Sequence, residues 1–133
     1  MRDLAWDSIL SVGVDEIDED HKKLVAIFNI LNHALSEGES REYLTAVLTE
    51  LINCTVWHFS HEERLMLKYD YAEREQHKTI HQQLIKNARD LENRILQEDQ
   101  TVSDEDLEYL ESWLTEHILT DDLRLGDYLS QVM

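Results

Sequence analysis

Residues 58–81 read HFSHEERLMLKYDYAEREQHKTIH. The stretch opens with His58 and Glu62 and closes with His77 and His81, each pair four residues apart. Four residues is about one turn of α-helix, so each pair projects from one helix face. Between the pairs, the YDY of Tyr69–Tyr71 reads as a break. The spacing therefore predicts two antiparallel helices, each presenting two ligand-type side chains to the other. Two such half-sites can hold metal, and the chain reads as a helical bundle built around it.

Working outward, the same periodicity recurs. Residues 1–17 read as an extended arm, with Trp6, Ile9, Leu10, Val12 and Val14 available to pack on a bundle and Gly13 punctuating it. A first long helix is expected to start near Asp18–Asp20, where acids suit the positive end of the helix dipole. His21, Leu24, Phe28, Leu31 and Leu35 form its inward stripe, and Gly38 ends it. Ser40 is placed to cap a second helix, whose stripe is Leu44, Val47, Leu51, Cys54, His58, Glu62 and Leu65. A third, from about Ala72 to Leu96, aligns His77, His81, Leu84, Ala88, Leu91 and Ile95. After the polar loop QEDQTV, Ser103 and Asp106 form a capping box for a fourth, with Leu107, Leu110, Leu114 and His117 facing inward. The tail from Thr120 to Met133 is expected to be a short fifth helix interrupted at Gly126. The predicted fold is all-α: a single domain over 1–133, an up-down-up-down four-helix bundle with an N-terminal arm and a short C-terminal helix.

Composition agrees. The chain has 133 residues, 42% hydrophobic and 31% charged, enough for one core. It has no proline and three glycines, which suits long helices. Twenty-nine acidic against 12 basic residues give a formal charge of −17, which disfavours nucleic acid and anionic membrane surfaces as partners. No run approaches the ~20 apolar residues of a membrane span, and the charged N-terminal stretch lacks a signal-peptide core. Cys54 is the only cysteine, so no intrachain disulfide forms, and a cytoplasmic location is the expectation. On the inward stripe, Cys54 reads as a small core filler.

The seven histidines divide sharply. His21, His58, His77, His81 and His117 occupy otherwise apolar stripes, whereas His33 and His61 fall off them. An unpartnered buried imidazole costs roughly 1–3 kcal/mol. Five of them on converging helices, with inward Glu62, would burden the core unless a common partner collects them, and a metal does so. A further carboxylate is expected after His117. Asp122, five residues on, would be about 140° away on an ideal helix and meets the site only if the helix distorts near Thr120; Asp121 competes on spacing. Nitrogen and oxygen donors suit iron, manganese, zinc or copper rather than calcium. The donor count exceeds what one ion needs. Two divalent ions carry about +4, which two carboxylates and a hydroxide reduce to about +1, tolerable within apolar walls. His61–Glu62 begins an HExxH motif, but Leu65 stands where the second histidine is required.

The ordered set H…HxxxE…HxxxH…HxxxxD, with WDSILSVGVDEIDEDHKKL near the start, HFSHEE, HKTIH and HILTDD, resembles the hemerythrins, in particular their bacterial single-domain form. The resemblance implies a non-haem di-iron centre with O2 as its ligand. It implies His77, His81 and His117 on one iron and His21 and His58 on the other. Glu62 and Asp122, with a hydroxide or oxide, would bridge, which selects Asp122 over Asp121. The two-histidine iron would carry the open position. Leu24, Phe28, Trp113, Leu114 and Ile118 lie within a turn of these positions and are candidate walls of an O2 pocket.

Reversible O2 binding, for storage, delivery or sensing, is the function this implies, with no catalytic residues. The partners are dioxygen and, for delivery, a protein acceptor. A di-iron oxidase, or a peroxide- or nitric-oxide-handling enzyme, is the alternative. It fits less well because ferritin-like oxidases use more carboxylates and fewer imidazoles. A bundle held together by structural zinc is a third reading.

Overall fold

The computed structural model describes residues 3–6, 10–98 and 100–133. Among these there is no strand. Helices α1 (Asp15–Ser36), α2 (Arg41–Lys68), α3 (Arg74–Gln97) and α4 (Asp104–His117) form the bundle; one π-helical turn (Ile118–Asp122) then leads into α5 (Leu123–Val132). The up-down-up-down architecture expected from the sequence is present, with α1 packed on α2 and α2 on α3.

Local chemistry sets the ends. At Gly38 (φ +72°) the amide reaches the Leu35 carbonyl and the Glu39 amide reaches Ala34, which closes α1 in a Schellman arrangement. Ser40 caps α2 by accepting from the Tyr43 amide at 3.1 Å. Ser103 and Asp106 exchange side-chain and backbone bonds in the expected capping box. α2 stops at Tyr69, and Asp70 turns the chain at φ +57°, a left-handed conformation that a short polar side chain tolerates.

Three boundaries differ from expectation. α1 begins at Asp15, so the arm is shorter than residues 1–17. Asp18 does not start the helix; it turns back to accept from the Val12 amide (2.9 Å) and Ser11 Oγ (2.5 Å), pinning the arm. α3 starts at Arg74 because the turn after Asp70 runs on through Glu73. α5 is not interrupted at Gly126. The glycine is helical, and it faces Val12, whose backbone lies where a side chain would otherwise stand.

Leu10, Val12 and Val14 of the arm are buried as expected, and Trp6 packs at the edge of the core; Ile9 lies outside the described residues. Most of the predicted stripes are buried, including Leu24, Phe28, Leu31, Leu51, Ala88, Ile95, Leu107 and Leu110. Cys54 is the exception on α2. It sits half-buried at the edge of an outer groove, and its neighbour Thr55 takes the interior.

Candidate metal centre

Each helix of the bundle delivers its share of the site through one turn of spacing. α1 brings His21, α2 brings His58 and Glu62, α3 brings His77 and His81, α4 brings His117, and the π-turn brings Asp122. All seven side chains are buried, from 0% exposure for His21 and Glu62 to 7% for His117.

The donors fall into two groups. Glu62, His77, His81, His117 and Asp122 form one; His21, His58, Glu62 and Asp122 form the other. The two carboxylates belong to both, one oxygen to each side. Glu62 Oε1 lies 3.0 Å from Nε2 of both His77 and His81, while Oε2 lies 3.0 Å from His58 Nε2 and 3.7 Å from His21 Nε2. Asp122 Oδ1 lies 3.0 Å from His117 Nε2 and 3.2 Å from His77 Nε2, while Oδ2 lies 2.9 Å from His21 Nε2.

The residues fit transition-metal ions. Glu62 Oε2, His117 Nε2 and both Asp122 oxygens are buried without an aligned hydrogen bond, although charged neighbours stand near 3 Å. Atoms that crowd together without pointing at one another are what a shared centre arranges. The Nε2 atoms of His21 and His58 face each other at 3.0 Å, which two lone pairs would avoid unless a proton or a cation lies between. Separations of 2.9–3.2 Å are close enough for these atoms to share one ion on bonds of about 2.1 Å.

Asp122 reaches the site because the backbone widens. In the π-turn the Leu123 amide bonds to the Ile118 carbonyl, five residues back, so side chains five apart become neighbours. Asp121 is not left idle: its Oδ2 lies 3.0 Å from His117 Nδ1, the outer ring nitrogen. Glu63 holds His81 Nδ1 at 2.9 Å, and Asp20 holds His58 Nδ1 at 2.8 Å. Carboxylates that grip the outer nitrogen fix the tautomer and turn the other lone pair inward.

His33 is exposed and meets Asp3, in keeping with its place off the stripes. His61 departs from expectation, being buried at 8% exposure with Nδ1 2.5 Å from Asp20. Its position off the apolar stripe concealed this, because its partners are acids of α1 rather than core residues.

A small cavity opens on the His21–His58 side. Leu24, Trp113, Leu114 and Ile118 line it with Thr55, Phe59 and Leu84, and His117 and Asp122 also reach it; Phe28 lies in the core outside this lining. Its free volume is about 10 Å³, near the lower limit for a single water molecule. Phe59 follows His58 directly and stacks on His81 with ring centroids 3.8 Å apart, a signal available from its position in HFSHEE.

Without metal, the rings and carboxylates neutralise one another. Burial opposes charge on His58, but Glu62 and Asp20 outweigh it and raise the pKa to about 10. Burial is likewise outweighed at His77 (about 9) by Asp122 and Glu62, and at His117 (about 10) by Asp122 and Asp121. These three rings are therefore charged at neutral pH in the metal-free protein. Their contribution to its stability is fully present below the ordinary value of 6.5 and is lost as pH rises through about 9–10. Metal must displace those protons. Calorimetry in buffers of different ionisation enthalpy should register release of several protons as the whole centre fills near pH 7. Affinity should climb with pH up to that range.

A helical bundle whose core gathers five imidazoles around two shared carboxylates has a donor set that could hold metal ions. The profile of the family described as "Hemerythrin HHE cation binding domain" matches residues 12–129. Bacteriohemerythrin of Pseudomonas aeruginosa (strain UCBPP-PA14) is 34% identical over 133 residues, covering 100% of this chain and 86% of the relative. A hemerythrin-like protein of Naegleria gruberi is 32% identical over 119 residues, covering 90% of this chain and 87% of its own length. The crystal structure of a wild-type hemerythrin superposes with a TM-score of 0.87 at 28% identity, covering 96% of this chain and 98% of the other. The chain belongs to the hemerythrin family. None of its described helices is long and apolar enough to cross a membrane.

Proposed function

We propose that this chain binds dioxygen reversibly at a pair of non-haem iron ions, for storage, delivery or sensing inside the cell. The observation that carries this reading is the sharing of Glu62 and Asp122 between two histidine groups, with a mostly apolar cavity that both His21 and His58 line together with His117. His77, His81 and His117 would hold one iron, His21 and His58 the other. The two carboxylates, with an oxide or hydroxide, would bridge them. Bound iron supplies the reversible electron exchange that retains O2.

The chain's own residues determine what reaches that centre. The His77–His81–His117 group offers five donors and the His21–His58 group four, so the ion held by the latter would have the vacant position; both His21 and His58 line the cavity, as does His117 of the larger group. Leu24, Trp113, Leu114 and Ile118 surround that position with hydrocarbon and admit only a small molecule. Excluding water and acid from such a pocket slows oxidation of the metal and favours release of intact O2. The scarcity of carboxylates among the donors argues against stabilising the high oxidation states that an oxidase uses.

The test is anaerobic loading with ferrous iron, exposure to O2, and removal of O2 under vacuum, followed by absorption spectroscopy. A visible band that appears with O2 and disappears on evacuation, over repeated cycles, supports the carrier. Prompt irreversible oxidation indicates an enzyme of the oxidase, peroxide or nitric-oxide kind. Zinc alone after growth in iron-supplemented medium overturns iron. His58→Ala should lower metal content and abolish the oxygenated spectrum; an unchanged spectrum would count against placing O2 on the His21–His58 side.

A further inference from the structure

His61 is the buried imidazole outside the two donor groups of the centre; with Asp20 and His58 it forms a third cluster beside them. Its Nδ1 lies 2.5 Å from Asp20 Oδ2, the same oxygen that stands 2.8 Å from His58 Nδ1. Its Nε2 lies 3.2 Å from Glu16 Oε1, and its ring sits beside Trp57 with centroids 5.7 Å apart. Read inward from the surface, Glu16 (47% exposed side chain), His61 (10%), Asp20 (11%) and His58 (1%) alternate between α1 and α2.

We propose that Asp20 and His61 are positioning residues for His58, holding its lone pair toward the ion of the His21–His58 group. The inference rests on the two-metal reading above. A neutral imidazole carries one N–H. With Asp20 accepting at Nδ1, that proton is fixed on the outer side and Nε2 faces His21 and Glu62. One oxygen gripped by a single ring leaves a carboxylate free to swing about its χ angles. His61 removes that freedom. It stands three residues after His58 on the same helix, so the two rings hold one oxygen of Asp20 between them. The arrangement matters most on this side because the group has two imidazoles where the other has three. A misaligned His58 removes half of its nitrogen donors.

The experiment loads wild type, Asp20→Ala, Asp20→Asn, His61→Ala and His61→Gln with ferrous iron anaerobically. It follows iron loss to a chelator and records melting of the metal-free proteins. In Asp20→Ala one of the two ions should leave about 10–100-fold faster than in wild type while the other keeps its rate. Asp20→Asn preserves volume but replaces the charged acceptor with a neutral, weaker one, so it should accelerate the same ion; it decides the matter if the alanine variant does not fold. His61→Ala should accelerate that ion by less, and His61→Gln, whose amide still donates to Asp20, should restore it toward wild type. Similar melting of the metal-free variants separates positioning from general loss of structure. Equal acceleration of both ions, or none, in the Asp20 variants overturns the proposal. His61→Gln as fast as His61→Ala removes the role of His61. A wild-type chain that retains no iron overturns the two-metal reading and this inference with it.

Discussion

Glu62→Gln should strip the chain of both metal ions while leaving its helices in place. Glu62 is fully buried, and its two oxygens serve opposite sides, Oε1 toward His77 and His81 and Oε2 toward His58 and His21. Glutamine keeps the volume but offers one carbonyl oxygen and an amide nitrogen that cannot face a cation. It also deletes one of two buried negative charges that offset the ions. Removing one partner of a buried charged set costs about 3–5 kcal/mol, enough to lower metal affinity by two orders of magnitude or more. Elemental analysis of the purified variant should find almost no metal, with the far-ultraviolet circular dichroism unchanged. Saturating metal raises stability by about 4 kcal/mol at a thousand times the dissociation constant, and the corresponding rise in Tm should vanish in Glu62→Gln. Glu63→Gln is the control. That side chain is 28% exposed and touches only the outer nitrogen of His81, so metal should be held less tightly but not lost. Two ions retained by Glu62→Gln would refute the shared-carboxylate arrangement.

Gly126→Ala should destabilise the fold, against the usual rule for a helix interior. Alanine in place of glycine ordinarily favours a helix by about 1 kcal/mol. Here a Cβ would stand 2.1 Å from the Val12 carbonyl oxygen and 2.9 Å from its carbonyl carbon. Both are backbone atoms of an arm already tied to Asp18, so no flexible side chain can yield. A clash with rigid backbone sits at the upper end of the overpacking cost of about 1–3 kcal/mol, so after the helix gain the net loss is about 2 kcal/mol and Tm should fall by roughly 5–10 °C. A rise in Tm on differential scanning would mean that the arm moves aside without cost.

Much of this was legible in the residues because it depends on short-range geometry. The stripes at spacings of three and four, the Schellman glycine at 38 and the capping serines at 40 and 103 all act within a turn or two of themselves. The histidines stood out because they interrupt apolar stripes. What stayed hidden depends on partners distant in sequence or on irregular backbone. His61 is buried by acids of α1 more than 40 positions earlier. Gly126 looked like a breaker because its purpose, close approach by Val12, lies at the other end of the chain. Thr55 and Cys54 exchanged roles because a stripe at the seam of two helices leaves one residue of phase undecided. No local signal announces a π-turn, so spacing alone left Asp121 and Asp122 as rivals.

The widened turn in fact employs both acids on one ring. On regular winding only a residue four positions along would lie over His117, and a single carboxylate would have had to choose between inner and outer nitrogen. One surplus residue lets Asp121 stand at Nδ1 and Asp122 at Nε2, each at 3.0 Å. An imidazole gripped at its outer nitrogen keeps its inner lone pair turned to the site, and a donor that cannot turn away rebinds before its ion can diffuse off. Under a chelator, the last ion to abandon the molecule should be the one that His117 touches.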